Sequence, residues 1–431
     1  MSDPDVGTNK QLAQMDNLVA GTRSRPFIAL DFHFVLAIIV SSGSIIVTAS
    51  GGPLVTASIL VGSILAAAAL NRYRDFRIID VDLLFATFCL AIVVSFALNG
   101  YGDLKEAGLL FLSLLAYLVG RFAPTGMRRT SFTLLTAVIV FIGAGATFIS
   151  LATQTAALFK PIVFGSDHSA IVFLSSLSFL IIALASTEMS HRQGIVIAMF
   201  LALPLGIFAA AQVRFTFVAL AATMVSMLLL SRRGQRQFSF AICFVIALAA
   251  GIGLASRFQT TSTYLKMVLE PSSMMTREDS LQGALPATAC LGGASAGNSF
   301  VVRKVLLRDA LKAIPSSGFF GTGLASFPSM TCVPNSEPHN SFLQATIEFG
   351  WLGGLALLGL TFLALRQLVP LVRIDSEARF VFGSLVFVVV LDLAHGILSR
   401  DTLLFLFAGY AARLVSTRQT GQITRSRNLS A

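Results

Sequence analysis

Apolar runs follow one another along almost the whole chain, separated by short polar breaks, and most are close to the length that crosses a bilayer. A hydrocarbon core of about 30 Å asks for about 20 apolar residues per helix. On that measure twelve segments qualify: 33–50, 54–70, 80–98, 106–123, 131–152, 169–188, 194–211, 215–230, 238–256, 341–365, 380–398 and 402–416. The breaks "ASGGP" near residue 52 and "QVR" near residue 213 are short enough that re-entrant helices are the alternative there. An even count survives if both fail together.

The pattern therefore predicts an all-α polytopic membrane protein, with about twelve transmembrane helices and one large extracytoplasmic loop between the ninth and tenth. Residues 1–30 form an N-terminal tail and 31–256 the first nine helices. The long loop covers 257–340, helices ten to twelve cover 341–416, and 417–431 is a basic tail. Composition agrees. Hydrophobic residues make up 55% of the 431 and charged residues only 12%, with mean hydropathy +0.80, where a soluble domain carries roughly 25% charge.

Charge orients the helices, because Lys and Arg are retained on the cytoplasmic side of short loops. With the N-terminus inside, the cytoplasmic segments hold 20 Lys and Arg, the short outer loops hold 4, and the remaining 7 lie in the long segment. That distribution accounts for the net charge of +10, so nucleic-acid binding is not needed to explain it. About thirty mostly polar residues precede the first apolar run, without the basic region of a cleavable signal peptide. The first span is expected to double as the insertion signal.

Cys89 and Cys243 fall within predicted spans, and Cys290 and Cys332 fall in the long outer segment. The latter pair is a candidate disulfide in an oxidising compartment; two unpaired thiols is the other reading.

An outer segment of about 84 residues far exceeds the usual connection of about 4–6, and function is the leading reason for one. Its first part, "EPSSMMTREDSLQGALPATACLGGASAGN", reads as irregular. "NSFVVRKVLLRDALKAIP" reads as an amphipathic helix, with Val302, Val305, Leu306, Ala310, Ala313 and Ile314 at helical spacing and a stop at Pro315. Lys304, Arg308 and Lys312 recur on its polar side, which suits a helix in the headgroup layer. In "SSGFFGTGLASFPSM", Gly318, Gly321 and Gly323 permit a tight turn or a close backbone approach.

"PHNSFLQATIEFGWLGG" places His339 just outside a helix start. Ser341 and Gln344 fit the S-x-x-Q capping box, so the tenth span is expected to begin at Asn340 or Ser341. First-turn N–H groups and the positive dipole end favour an anion there and disfavour imidazolium, leaving the ring available as a base. Arg214, in "AAAQVRFTFVAL", is a fixed cation between apolar segments, and such a charge is either functional or a side chain snorkelling to the interface. Asp392 and His395 share one helix face as a proton relay or a packing hydrogen bond.

The stretch "HNSFLQATIEFGWLGGLALLGL" resembles the signature of the O-antigen ligase and Wzy-type polysaccharide polymerase superfamily, which includes ExoQ-type exopolysaccharide production proteins. His339, Asn340, Leu343, Glu348, Gly350 and Gly353 are the matching positions. Upstream, "RKVLLRDALKAIPSSGFFGTGLASF" resembles the family's loop pattern, in which Arg303 matches the arginine that begins a helix and a Gly-x-Gly turn follows. Arg214 resembles the arginine at the outer end of a membrane helix before the large loop. The resemblance covers about residues 165 to 365, and it departs at Leu307, where many relatives have tryptophan.

What the resemblance implies is metal-independent glycosyl transfer without cofactors, at the outer face of a bacterial inner membrane. An undecaprenyl-diphosphate-linked oligosaccharide would be the donor and a glycan or lipid acceptor the recipient, with membrane lipids and other polysaccharide export proteins as partners. His339 would act as general base, Arg214 and Arg303 would hold the diphosphate, and Arg308 would assist. A polymerase joining repeat units is the reading favoured over a ligase that passes finished glycan to lipid A core. A lipid-linked glycan flippase is the alternative of another class.

Overall fold

The computed structural model describes residues 31–49, 52–70, 77–124, 129–153, 161–166, 168–211, 213–230, 233–256, 299–333 and 336–429. These residues form fifteen α-helices, with one isolated bridge between Val163 and Ser166. In chain order they are α1 (Phe32–Val40), α2 (Ser42–Thr48), α3 (Pro53–Leu70), α4 (Asp80–Asn99), α5 (Leu104–Arg121), α6 (Thr130–Thr153), α7 (Ser169–Ala185) and α8 (His191–Ala210). There follow α9 (Arg214–Leu230), α10 (Arg233–Ser256), α11 (Ser299–Ala313), α12 (Ser341–Glu348), α13 (Gly350–Val372), α14 (Ser376–His395) and α15 (Thr402–Leu429).

Helix occupies each of the twelve predicted segments. Among the described residues, six helical stretches are long and apolar enough to cross a membrane, and three shorter apolar helices stand at 55–70, 169–185 and 215–230. The chain is a multi-pass membrane protein.

Three boundaries differ from expectation. The first segment is interrupted at Ser41, where the run "SSGS" has little side-chain bulk. Gly43 lies so close to Val172 that a Cβ there would sit 3.0 Å from its methyl group, and Ser44 Oγ bonds Ser176 Oγ at 2.9 Å. Contact with α7 thus outweighs helical continuity. The tenth segment breaks at Phe349, between α12 and α13. The last helix runs on to Leu429, through most of what was expected to be a tail. The expected N-terminal tail and the irregular first half of the long loop lie outside the described residues.

Small residues set the tightest crossing. A Cβ on Gly120 of α5 would overlap the Leu406 carbonyl oxygen on α15, and one on Gly409 would overlap that of Tyr117. Backbones in contact at such a seam are how membrane helices gain packing that side chains in lipid do not supply. Around it lies one core in which Phe88, Phe405 and Phe349 meet ring to ring.

Two polar clusters mark opposite ends of the bundle. Glu106 and Arg121 both belong to α5, fifteen residues apart, which is roughly 22 Å along a helix. Around Arg121, the Asp82 carboxylate accepts from Arg121 Nε (2.8 Å), Arg121 Nη2 (3.0 Å), Tyr117 Oη (2.8 Å) and Ile79 N (3.0 Å). Around Glu106 gather Ser399, Arg400, Glu337 and the segment that carries His339.

Candidate functional site

The site is built on the break between α12 and α13. Gly350 has φ +74°, and Gly318, Gly321 and Gly323 have φ +65°, +79° and +99°, a region of backbone space that L side chains rarely occupy. These glycines let two backbones meet directly. Thr322 N donates to Ile347 O (3.0 Å) and Gly323 N to Glu348 O (3.0 Å), while Trp351 N donates to Gly318 O (3.1 Å) and Leu352 N to Phe319 O (3.3 Å). A Cβ on Gly321 would overlap the Glu348 carbonyl oxygen, and one on Gly350 that of Phe319. Carbonyls freed by the break are thereby satisfied, with Ser95 Oγ adding a bond to Glu348 O at 2.8 Å.

Glu348 holds this clasp from inside. Its fully buried carboxylate accepts from Ala325 N and from Gln344 Nε2, each at 3.1 Å. Gln344 Nε2 also donates to Glu337 Oε2 (3.2 Å), and its Oε1 accepts from Leu398 N (2.9 Å). Gly353 packs its bare Cα against Phe349 and faces Ala91 of α4.

The capping box is a correction. Asn340 is the N-cap of α12, its Oδ1 accepting from Phe342 N and Leu343 N at 3.1 Å each. Gln344 is turned to Glu337, Glu348 and Leu398, and Ser341 Oγ hydrogen-bonds Asp401. Asn340 Nδ2 donates to Leu393 O at 3.1 Å, so the cap also ties the helix start to the end of α14.

Between these anchors stands His339, with φ +52°. The left-handed region is uncommon for any residue with a side chain, though histidine is among those found there more often. Glu337 is held before it and Asn340 after it, so the corner is fixed from both sides. Among the described residues the half-buried ring makes no hydrogen bond. Burial, and next the Arg303 guanidinium, hold the imidazole below the ordinary histidine range, which favours the neutral ring.

Arg303 reaches this point from α11. The apolar face of that helix packs Leu306 and Ala310 against Phe327 and Ile347, and Arg303 lies at the edge of that face. At 100° per residue, Arg308 is turned roughly 140° away from it, and it is exposed. The structure thus brings Arg303 to His339 and leaves Arg308 on the outer side of α11. Arg303 Nη2 lies 3.3 Å from His395 Nδ1. Phe215, beside the first residue of α9, packs its ring against His395 at 5.5 Å between centroids. Arg214 is that first residue, and its side chain lies outside what the structure describes.

On the other flank, burial and then the Glu106 charge push the Glu337 carboxyl up to about 7, against the pull of Arg400. Glu106 pairs with Arg400 at 2.8 Å. Cys332 is disulfide-bonded, and Asp309 Oδ2 accepts from its N–H at 2.9 Å; Cys290 lies outside the described residues, while Cys89 and Cys243 are free. Among the described residues no three His, Cys, Asp or Glu side chains group as metal ligands.

Sequence reasoning missed Gln344 and Glu337 as parts of the site, and it paired His395 with Asp392 without naming Arg303. For Glu337, closeness to His339 in the chain was the available signal. For the contact of His395 with Arg303 there was none, since 92 residues separate them.

A bundle of apolar helices, with a left-handed histidine just ahead of the broken helix and an arginine whose charge acts on it, defines a multi-pass membrane protein with a polar site at one end. Residues 197–358, from within α8 to within α13, match the family model described as O-Antigen ligase. This part of the chain is similar to that family, in agreement with the resemblance noted around His339. No curated protein matches the chain closely enough to count as a relative.

Proposed function

We propose that the protein transfers a saccharide from an undecaprenyl-diphosphate-linked donor to an acceptor hydroxyl at the outer face of a bacterial inner membrane. The observation that carries this reading is the geometry ahead of α12: His339 is half-buried at a left-handed corner, with Arg303 near enough that its charge lowers the basicity of the ring. The acceptor O–H gives its proton to His339 as the acceptor oxygen bonds the anomeric carbon. The bond from that carbon to the diphosphate oxygen breaks, and undecaprenyl diphosphate leaves with the electron pair. Arg303, with Arg214 at the start of α9, neutralises the growing charge; fixed guanidinium forks suit phosphate oxygens. Arg308 serves as an outer phosphate contact at the membrane surface. Cys290 is the disulfide partner we assign to Cys332.

Polymerisation of exopolysaccharide or O-antigen repeat units is the reading we favour. Ligation of a finished glycan to lipid A core stands second, supported by the description of the matched family. The test is purified protein in lipid nanodiscs with the lipid-linked saccharide. One undecaprenyl diphosphate released per glycosidic bond is expected, with a ladder of lengths for a polymerase and a single transfer to lipid A core for a ligase. In proteoliposomes, movement of intact donor across the bilayer with no bond cleaved would establish a flippase instead.

A further inference from the structure

The contact between Arg303 and His395 fixes a tautomer. A guanidinium has five N–H donors and no acceptor, so the bond between Arg303 Nη2 and His395 Nδ1 at 3.3 Å requires a lone pair on Nδ1. The proton of the neutral ring is then on Nε2. Imidazolium has no lone pair to offer and would stand as a second cation against the guanidinium.

Among the described residues this is the one hydrogen bond the Arg303 side chain makes. The rest of α11 is held here by apolar packing of Leu306 and Ala310 on Phe327 and Ile347, which positions the helix but does not orient a guanidinium at its edge. His395 does orient it. Its own ring is braced edge-on by Phe215, and its helix end is tied to the His339 corner through Leu393 O and Asn340 Nδ2. One N–H of Arg303 is thus occupied and the plane of the fork is set, which leaves the other donors for a ligand. The matched family segment ends at residue 358, before α14, so it does not cover His395.

We propose that His395 is a positioning residue of the donor site: as the Nε2–H tautomer it fixes the Arg303 guanidinium in the orientation that receives the diphosphate of a lipid-linked donor. The assignment rests on the glycosyl-transfer reading above.

The test exploits the distinction between the ring nitrogens. An asparagine amide oxygen falls near the position of Nδ1 and a glutamine amide oxygen near that of Nε2. His395→Asn therefore keeps the acceptor that Arg303 needs, and His395→Gln and His395→Leu remove it. In the nanodisc assay, His395→Asn should keep the donor KM within about twofold of wild type. The other two should raise it about tenfold or more, the scale of a hydrogen bond to a charged group, with the acceptor KM unchanged.

Equilibrium binding of undecaprenyl diphosphate to the full-length protein should follow the same order without any transfer step. Should His395→Leu misfold, the Asn and Gln variants decide. A donor KM and an undecaprenyl diphosphate affinity unchanged in His395→Gln, or lost equally in His395→Asn, would overturn the proposal. A wild-type protein that binds undecaprenyl diphosphate with this variant order but transfers no sugar would overturn the functional reading and leave the role of His395 standing.

Discussion

The two polar ends of the bundle handle charge in opposite ways. At the Arg121 end, Asp82 accepts four hydrogen bonds and its guanidinium partner is 1% exposed. Each Asp82 oxygen has at least one donor, and the bonds join α4 to α5. At the His339 end, the ring makes no hydrogen bond among the described residues, the backbone beneath it is left-handed, and Arg303 has one bond for five donors. With both oxygens of Asp82 engaged and the guanidinium sealed from solvent, this pair serves to join helices. The His339 end keeps donors and a ring nitrogen uncommitted on a strained backbone, and strain with incomplete pairing is what motivates the functional reading proposed above.

The largest effect should come from the open end. His339→Ala is expected to lower kcat for transfer by about 10²–10⁴-fold, the range for losing a general base, with thermal unfolding in detergent unchanged. Wild-type turnover in this variant would remove the base from the mechanism. Arg121→Leu tests the closed end and should show the inverse. It strands the Asp82 carboxylate, costs about 3–5 kcal/mol of stability, and leaves activity per folded molecule intact. If it instead changed donor or acceptor KM, the division between the two ends would not hold.

A smaller effect tests the field inside the site. Arg303 depresses the basicity of His339, so Arg303→Gln should raise the histidine pKa and move the acid limb of kcat/KM to higher pH. Burial remains the larger cause, so the limb should still fall below that of an ordinary histidine. A residual activity whose limb does not move would separate the two residues.

The smallest expected effect concerns Glu337. Its folded-state carboxyl is pushed up to about 7 from an ordinary 4.5, so between those values the folded protein binds a proton that the unfolded chain releases. Stability from this group is present in full below pH 4.5 and is lost as pH rises through 7. Glu337→Gln should flatten that slope in thermal unfolding followed across pH. An unchanged slope would assign it to another group.

Hydropathy made the helices legible, because burying a backbone in lipid leaves few alternatives to a helix wherever about twenty apolar residues run together. The interruptions were not. Nothing in "EFGWLGG" announces that Gly350 turns left-handed, because the reason is a carbonyl at Phe319 brought in from another segment. The S-x-x-Q pattern misled in the same way: Gln344 is equally able to reach back along its own helix or across to Glu337 and Leu398, and only the tertiary neighbours choose. A family resemblance singled out His339, Arg303, Glu348 and Gly350, but not that the helix breaks between Glu348 and Gly350. The orientation of Arg303 by His395 depended on folding alone.

The seam at Gly120 and Gly409 has a mechanical consequence. With main chains touching there, neither an acyl tail nor a bulkier residue can wedge between α5 and α15, and the two rods behave as a single stiff spar. Glu106 rides on one rod, and Asp401, which grips the first residue of α12, adjoins the other. That side of the site is braced by main chain, whereas on the other side α9, α11 and α14 meet at His395 through side chains alone, with Phe215 and Arg303, and so hold their spacing less firmly.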